Sequence, residues 1–251
     1  MKHEVEMWLE ASGEERACAL QSAVEQLLSN YKDEFPFPPV SISGLAASVG
    51  AKISRVKDMP GGGSLMPRRD GFSILISTDL PQAKFRMAVA HEVAHTLFYS
   101  KEEGKMPKRL IPPTEREHQF CFDVARHLLA PRWLLAKAGI LKGNDSLWTF
   151  HKLISLFRLS KPTAARLMLE DYKLSIGIAG RWICRDKGWE YISAGGCASP
   201  LLDAEGRREL RDIAKQWLTN RQAPRGVKVL GIPEPLGGAT MFLLVEKREV
   251  F

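Results

Sequence analysis

Two histidines and one glutamate near the middle of the chain have the types and the spacing needed to bind a metal ion and activate water. They belong to the stretch His91-Glu92-Val93-Ala94-His95, an H-E-x-x-H pattern. Side chains four residues apart on an α-helix lie on one face, so both imidazoles can reach one ion, most often zinc. The glutamate then lies beside the metal-bound water and can take its proton. The pattern predicts His91 and His95 as metal ligands and Glu92 as the catalytic base.

The residues around this pentapeptide predict that its helix is buried. Apolar side chains are frequent in residues 85–90 before the motif and in residues 96–99 after it. Buried histidines and carboxylates are costly unless they are paired or bind an ion. This context disfavours the alternative, a solvated helical turn with two ordinary histidines. Asp79, with Gln82 three residues later, is the candidate N-cap of the helix.

A second helix that could supply a further ligand is predicted over residues 115–130. Thr114 and Glu117 form a capping box at its start, and Pro131 ends it. Zinc sites that catalyse hydrolysis usually have three protein ligands and leave one position for water. The missing third ligand is therefore expected on this helix.

Two neighbouring residues of that helix compete for the role of third ligand. His118 follows His95 by 23 residues and shares an apolar face with Cys121, which we expect to pack towards the motif helix. Glu117 is the more usual ligand type, but the capping box already gives its side chain a role. Cys121 is interpreted as a core residue because free cysteine is often simply buried. His127 lies about half a turn away and should face elsewhere.

Bulk composition excludes several classes of protein. The 251 residues carry a net charge of +7, which permits contact with nucleic acid or an acidic partner without requiring it. The four cysteines lack zinc-knuckle spacing and do not suggest a disulfide framework. Residues 1–16 lack the apolar core of a signal peptide, and no apolar run is long enough to span a membrane. We expect a cytoplasmic protein without membrane contact.

The remaining segments predict an α+β protein with three parts. A helix over residues 5–31 and a hairpin at Asp70-Gly71 belong to the first part, 1–143. Pro67 cannot donate a ladder hydrogen bond, so its strand should lie at a sheet edge. Residues 144–173 form a helical, helix-turn-helix-like part, and residues 174–251 have the pattern of a small β-β-α-β-β domain.

The pattern as a whole resembles the ImmA/IrrE-type metallopeptidases. The matching stretches before and within the motif helix are Pro38-Pro39-Val40, Leu45-Ala46-Ala47, Asp70-Gly71-Phe72-Ser73-Ile74 and Arg86-Met87-Ala88-Val89-Ala90-His91-Glu92-Val93-Ala94-His95. The downstream matches in spacing are Cys121, Ala125, Leu128-Leu129 and Pro131. The resemblance covers roughly residues 20–170. At the position of the family's third-ligand glutamate, this chain has His118, with Glu117 one residue earlier.

The resemblance implies a zincin-like metallopeptidase domain with Zn²⁺ as cofactor. It also implies a site-specific endopeptidase that cleaves a helix-turn-helix transcriptional repressor and so derepresses phage, mobile-element or stress genes. Tyr99 and His151 are the candidates for stabilising the oxyanion. Some relatives carry a GAF-like domain after the peptidase, which suggests a sensory role for residues 174–251.

Two other functions remain open at the sequence level. The substitution of His118 for a glutamate is compatible with a degenerate metal site in a regulatory, protein-binding module without peptidase activity. Direct DNA binding through residues 146–172 is a weaker hypothesis, because this helix pair lacks an obvious exposed recognition face. The sequence leaves the oligomeric state undetermined.

Overall fold

The chain folds into two compact units, Met1–Leu134 and Leu135–Phe251. The computed structural model describes residues 2–31, 37–100, 102, 104–142, 146–174, 176–185, 188–220, 222, 227–233 and 238–245. Helices and strands occur in both units, so the mixed α+β class expected from the sequence is confirmed. The division at residues 143 and 173 stays a prediction.

The first unit combines helices with a three-stranded sheet and a short two-stranded ribbon. Its helices are α1 (Lys2–Glu10), α2 (Gly13–Leu28), α3 (Ile42–Ser48), α4 (Gln82–His95) and α5 (Glu115–Leu129); the next helix, α6 (Arg132–Lys137), begins in the first unit and ends in the second. Its strands are β1 (Ala51–Val56), β2 (Gly63–Arg68), β3 (Gly71–Ser77), β4 (Tyr99–Ser100) and β5 (Lys108–Arg109). The predicted helix over residues 5–31 is wrong in one respect. It breaks at residues 11–12, and Gly13, the first residue of α2, has a φ of 55°, outside the right-handed helical range.

The three-stranded sheet has the order β1-β3-β2. Strand β3 pairs with β1 in parallel and with β2 in antiparallel fashion, and Ile74 and Ile76 of β3 are fully buried. The predicted hairpin at Asp70-Gly71 is confirmed, with Arg68 opposite Gly71. Strand β2 lies at an edge of this sheet, as expected for a strand that contains Pro67.

Helix α4, which carries the H-E-x-x-H residues, is buried between the sheet and α5. It contacts β2, β3, α3 and α5, and Val89 and Val93 have no exposed surface. Arg86 donates a hydrogen bond of 3.0 Å to the carbonyl of Val40, which ties the helix to the segment before α3. The helix begins after Pro81, so the expectation that Asp79 caps it is wrong. These packing contacts on several sides of α4 fix its position.

Helix α5 lies beside α4 and has one buried face. Its N-cap is Thr114, whose hydroxyl accepts a hydrogen bond of 3.0 Å from the Glu117 amide, as predicted. Cys121 and Leu128 have no exposed surface. On the side towards α2, Asp123 forms a close ion pair with Arg16, which braces the helix against the N-terminal segment.

The second unit contains the predicted β-β-α-β-β order. Its elements are α7 (Ser146–Ser155), α8 (Lys161–Arg166), a π-helical turn (Leu167–Asp171), β6 (Ile176–Arg185), β7 (Gly188–Ala198), α9 (Ala204–Asn220), β8 (Val227–Pro233) and β9 (Gly238–Val245). The strands form an antiparallel sheet in the order β7-β6-β9-β8. Trp182 of β6 and Ala214 of α9 are fully buried in one cluster, so α9 covers this sheet.

Helix α8, the second helix of the α7–α8 pair, offers little surface to a ligand. Thr163, Ala164 and Ala165 of α8 are buried, and so are residues 167–169 of the following turn. Lys161 and Pro162 are its exposed residues. A recognition helix needs an exposed face that can enter a DNA groove. The burial of α8 therefore favours a packing role over DNA recognition.

The hairpin glycine Gly71 yields a test of the fold. It has a φ of 125°, and a Cβ atom built there would lie 2.2 Å from the Gly50 carbonyl oxygen. We expect Gly71→Ala to lower the free energy of unfolding by about 2–4 kcal/mol, measured by denaturant unfolding. Gly61→Ala is the control. Gly61 also has a positive φ, of 76°, but nothing lies within 4 Å of its Cβ position. That control should lose only about 1 kcal/mol, and equal losses would contradict the steric explanation.

Candidate metal centre

Three histidine rings from α4 and α5 meet at one point. The Nε2 atom of His91 lies 3.1 Å from Nε2 of His95 and 3.2 Å from Nδ1 of His118. His91 and His95 come from successive turns of α4, and His118 comes from the first turns of α5. The structure thus brings together the three residues that sequence analysis named as metal ligands. We call them the three-histidine cluster.

The spacing within the three-histidine cluster fits a metal ion better than hydrogen bonding. Two nitrogens bound to zinc at about 2.05 Å with tetrahedral angles lie about 3.3 Å apart. The two measured separations, 3.1 and 3.2 Å, are close to that value. A neutral imidazole offers only one N–H, whereas the Nε2 atom of His91 approaches two other nitrogens at once. The cluster is therefore one of the groups of residues that could hold a metal ion.

The cluster becomes more exposed from His91 to His118. His91 is 4% exposed, the side chain of His95 is 17% exposed, and His118 is exposed. Burial lowers the pKa of His91 to about 3, and the neighbouring His95 and His118 add to the effect. Burial also lowers the pKa of His118, again with a contribution from His95. Both rings are therefore neutral at physiological pH, the state in which imidazole binds metal.

Glu117, the competing third ligand, lies on the other side of the His95 ring. Its Oε1 atom is 2.7 Å from Nδ1 of His95, and its Oε2 atom forms a close ion pair with Arg109. Burial opposes ionisation of this carboxyl, but hydrogen bonds from His95 and Arg109 outweigh it and lower the pKa of Glu117. An ionised carboxylate only accepts hydrogen bonds, so Nδ1 of His95 must carry the proton. The Nε2 lone pair is then directed at the cluster, as in the carboxylate–histidine pairs that orient metal ligands.

A second group that could hold a metal combines His95, Glu117 and Cys121. It shares His95 with the three-histidine cluster but uses the Nδ1 atom that already contacts Glu117. Burial raises the pKa of the Cys121 thiol well above its usual value, and the charges of Glu117 and Glu92 raise it further. The positively charged guanidinium of Arg109 also lies against Glu117. A protonated thiol and an adjacent cation both disfavour a metal ion here, so the three-histidine cluster is the better candidate of the two groups.

Glu92 lies against the edge strand β2. A backbone hydrogen bond from Leu65 reaches its carboxylate, and a Cβ atom on Gly63 would lie 3.0 Å from its Oε1 atom. The close approach therefore depends on the missing side chain at position 63. Burial raises the pKa of Glu92, while His95 and the Leu65 amide oppose the shift. A raised pKa brings a carboxylate closer to the value that suits a general base at neutral pH.

Sequence reasoning missed Arg109 and gave Phe122 no role at the cluster. Arg109 was not singled out, although a buried glutamate on α5 requires a cationic or hydrogen-bonding partner. Phe122 packs on His91 with ring centroids 4.0 Å apart and is 36% exposed, so it forms an apolar wall beside the cluster. Spacing on α5 was the signal for Phe122, since it follows His118 by one helical turn. Tyr99 lies 3.2 Å from Arg109 through its hydroxyl. His151 belongs to the second unit.

Comparisons with known proteins yield a fold likeness and no family assignment. No family model and no curated protein matches the chain. Among solved structures, a "Mycobacterium tuberculosis transcriptional regulator" matches with a TM-score of 0.53 and 11% sequence identity. The match covers 98% of this chain and 81% of that one. At this identity the likeness concerns the fold alone. None of the helices in the described segments combines the length and the apolar content that a bilayer span requires.

Removal of His118 tests the assignment of the third ligand. We expect the native protein to bind one divalent ion and His118→Ala to bind it more than about 100-fold more weakly, beyond the loss typical of an outer partner. Metal at 100 times the dissociation constant should stabilise the native fold by about 2.7 kcal/mol, and thermal unfolding with and without metal measures this. His151→Ala, at an exposed histidine of the second unit, serves as control. Unchanged affinity in His118→Ala would contradict the assignment.

Thiol reactivity tests the burial of the second group. We expect iodoacetamide to modify Cys18, which is exposed, and to leave Cys121 unmodified in the folded protein at pH 8. Burial removes access to Cys121 and keeps it protonated, and only the thiolate reacts. Peptide mapping by mass spectrometry after labelling reads both positions in one sample. Labelling of Cys121 at a rate close to that of Cys18 would show that the thiol is accessible.

Proposed function

We propose that the chain is a zinc-dependent, site-specific endopeptidase with a zincin-like domain of the ImmA/IrrE type. The observation that carries this proposal is the convergence of the His91, His95 and His118 nitrogens next to Glu92. Imidazole ligands suit zinc, copper, iron and nickel. Zinc is the proposed ion because hydrolysis requires a Lewis acid with an open position and no change of oxidation state.

The residues around the three-histidine cluster have the properties that peptide hydrolysis needs. A bound divalent ion would lower the pKa of its water and polarise the scissile carbonyl. The exposure of His118 leaves an approach from solvent on one side of the cluster. Glu92 would take the proton of the water and pass it to the leaving amine. The Leu65 amide holds the Glu92 carboxylate in place for this transfer.

The edge strand β2 is the proposed binding site for an extended substrate segment. Its partner in the sheet is β3, so its other side can pair with an added strand. The same strand carries Gly63 and Leu65, which contact Glu92. A peptide added to β2 would therefore run close to the catalytic base. Phe122, which packs on the His91 ring, offers an apolar surface to a neighbouring side chain of the substrate.

The proposed substrate is a helix-turn-helix transcriptional repressor, whose cleavage would derepress phage, mobile-element or stress genes. The motif pattern over roughly residues 20–170 supports this substrate class through its resemblance to ImmA/IrrE-type proteins. The match to a solved transcriptional regulator agrees with a role in transcription, although at 11% identity it bears only on the fold. We also propose a cytoplasmic location, since such a repressor acts on intracellular DNA.

Glu92→Gln separates metal binding from catalysis. We expect this variant to bind metal as the native protein does but to cleave a purified repressor at less than about 1% of the native rate, because general-base catalysis contributes 10²–10⁴-fold. If a helix-turn-helix repressor gene lies beside this one, its product is the first substrate to test. Rates follow from gel densitometry, and the bound metal from elemental analysis. Glu115→Gln, at an exposed glutamate of α5, is the matched control and should keep native activity.

The same assay distinguishes the peptidase from a regulatory module. Full cleavage by Glu92→Gln would reject the mechanism. Stable binding of the repressor by the native protein, without cleavage and without an effect of a chelator, would favour the binding module. Cleavage that stops with chelator and returns with Zn²⁺ supports the peptidase.

A further inference from the structure

Arg109 holds the carboxylate behind the three-histidine cluster through a guanidinium with three different partners. Its Nε atom donates a hydrogen bond of 3.0 Å to the Ile111 carbonyl, and Nη1 lies 3.2 Å from the Tyr99 hydroxyl. Nη2 forms the close ion pair with Glu117. The guanidinium also lies over the Tyr99 ring, 5.3 Å from its centroid. These contacts fix the planar guanidinium, with its forked set of N–H donors, in one orientation. A lysine ammonium cannot reproduce this arrangement.

The anchored carboxylate has one partner for each oxygen. Oε1 of Glu117 contacts His95, Oε2 contacts Arg109, and the residue is 1% exposed. Both oxygens are therefore engaged on the side of His95 away from the cluster. Glutamate is a common zinc ligand, and Glu117 stands next to His118 in the sequence. Its orientation, rather than its chemistry, keeps it from binding the ion.

We propose that Arg109 is a positioning residue that makes Glu117 a hydrogen-bond acceptor for His95 instead of a metal ligand, and that it thereby sets the affinity and the ligand set of the metal centre. Arg109 lies on β5 and pairs with Tyr99 of β4. The β4–β5 ribbon follows α4 after one turn of 3-10 helix. The inference rests on the metal site of the proposed function but requires no peptidase activity.

The physical consequence of removing Arg109 follows from the burial of Glu117. A buried carboxylate that loses its cation is strongly unfavourable, so it must reorient. His95 then loses the fixed acceptor for its Nδ1–H. Loss of such an outer partner typically weakens metal binding by 10–100-fold. Removal of a nearby positive charge acts in the opposite direction, since by itself it would strengthen the binding of a cation.

A double-mutant cycle tests the inference with metal binding alone. We would measure Zn²⁺ affinity by competition with a chromophoric chelator for Arg109→Met, Glu117→Gln and the double variant. Arg109→Met should bind Zn²⁺ about 10–100-fold more weakly than the native protein. In the Glu117→Gln background the same substitution should change affinity by less than about threefold, because residues that act through each other are not additive. Arg109→Lys should resemble Arg109→Met, since it cannot restore the fork.

Visible absorption of the Co²⁺-loaded proteins provides the readout of the ligand set. Arg109→Met should change the spectrum relative to the native protein, whereas Lys108→Met should leave both spectrum and affinity unchanged. Lys108 is the matched control because it is the exposed neighbour of Arg109 on β5. Circular dichroism of the metal-free variants identifies any that fail to fold, and Arg109→Lys then replaces Arg109→Met in the cycle.

Several results would overturn the inference. Unchanged or stronger Zn²⁺ binding by Arg109→Met, together with an unchanged Co²⁺ spectrum, would show that Arg109 acts at most as a nearby charge. Equal losses with and without Glu117 would show that it does not act through that carboxylate. A native protein that binds no divalent ion would remove both this inference and the proposed function. A native protein that binds Zn²⁺ but cleaves no repressor would remove the peptidase alone and leave the role of Arg109 testable.

Discussion

His95 is held at both of its ring nitrogens, and the rest of the site depends on this two-sided contact. Nε2 faces His91 at 3.1 Å, and Nδ1 faces Glu117 at 2.7 Å. One ring thereby joins α4 to α5 and fixes which nitrogen carries the hydrogen. The burial of α4 between the sheet and α5 keeps the ring from turning, because close-packed side chains have few alternative positions. Without this contact, the two helices would present three histidines with no common orientation.

The charge balance of the site follows from where its carboxylates lie. The three-histidine cluster supplies neutral ligands. The ion and its three ligands together would therefore carry the full charge of the ion. The carboxylate of Glu117, which contacts the Nδ1 side of His95, could compensate part of that charge. Arg109 forms an ion pair with Glu117, however, and neutralises the carboxylate. Glu92 follows His91 in α4, and its carboxylate lies against β2. A more positive centre activates water more strongly.

Sequence analysis located the site well where helical spacing determines geometry. His91 and His95 follow directly from the four-residue period of a helix, and His118 followed from the apolar face of α5. The hairpin at Asp70-Gly71, the edge position of β2 and the cap at Thr114 also follow from local rules, because turn, proline and N-cap chemistry act within a few residues.

Features that depend on tertiary contacts escaped sequence analysis. Sequence analysis weighed Glu117 as a capping residue and as the third ligand, but its side chain contacts His95 and Arg109, which only the folded chain brings to its two oxygens. The contact of Glu92 with Leu65 likewise requires a strand and a helix distant in sequence to meet. The break between α1 and α2 was missed because apolar residues occur at helical spacing on both sides of Gly13. The positive φ of Gly13 interrupts the helical backbone there.

The graded exposure of the three ligands has a kinetic consequence. His91 lies deepest, His95 is partly covered, and His118 faces solvent. An incoming ion would meet His118 first and the buried pair afterwards, and a departing ion would release His118 first. A chelating molecule can therefore attack at the outermost ligand without unfolding of the helices. Exchange of the ion would then begin at one imidazole, so the centre would equilibrate with free metal faster than a site whose ligands are all buried.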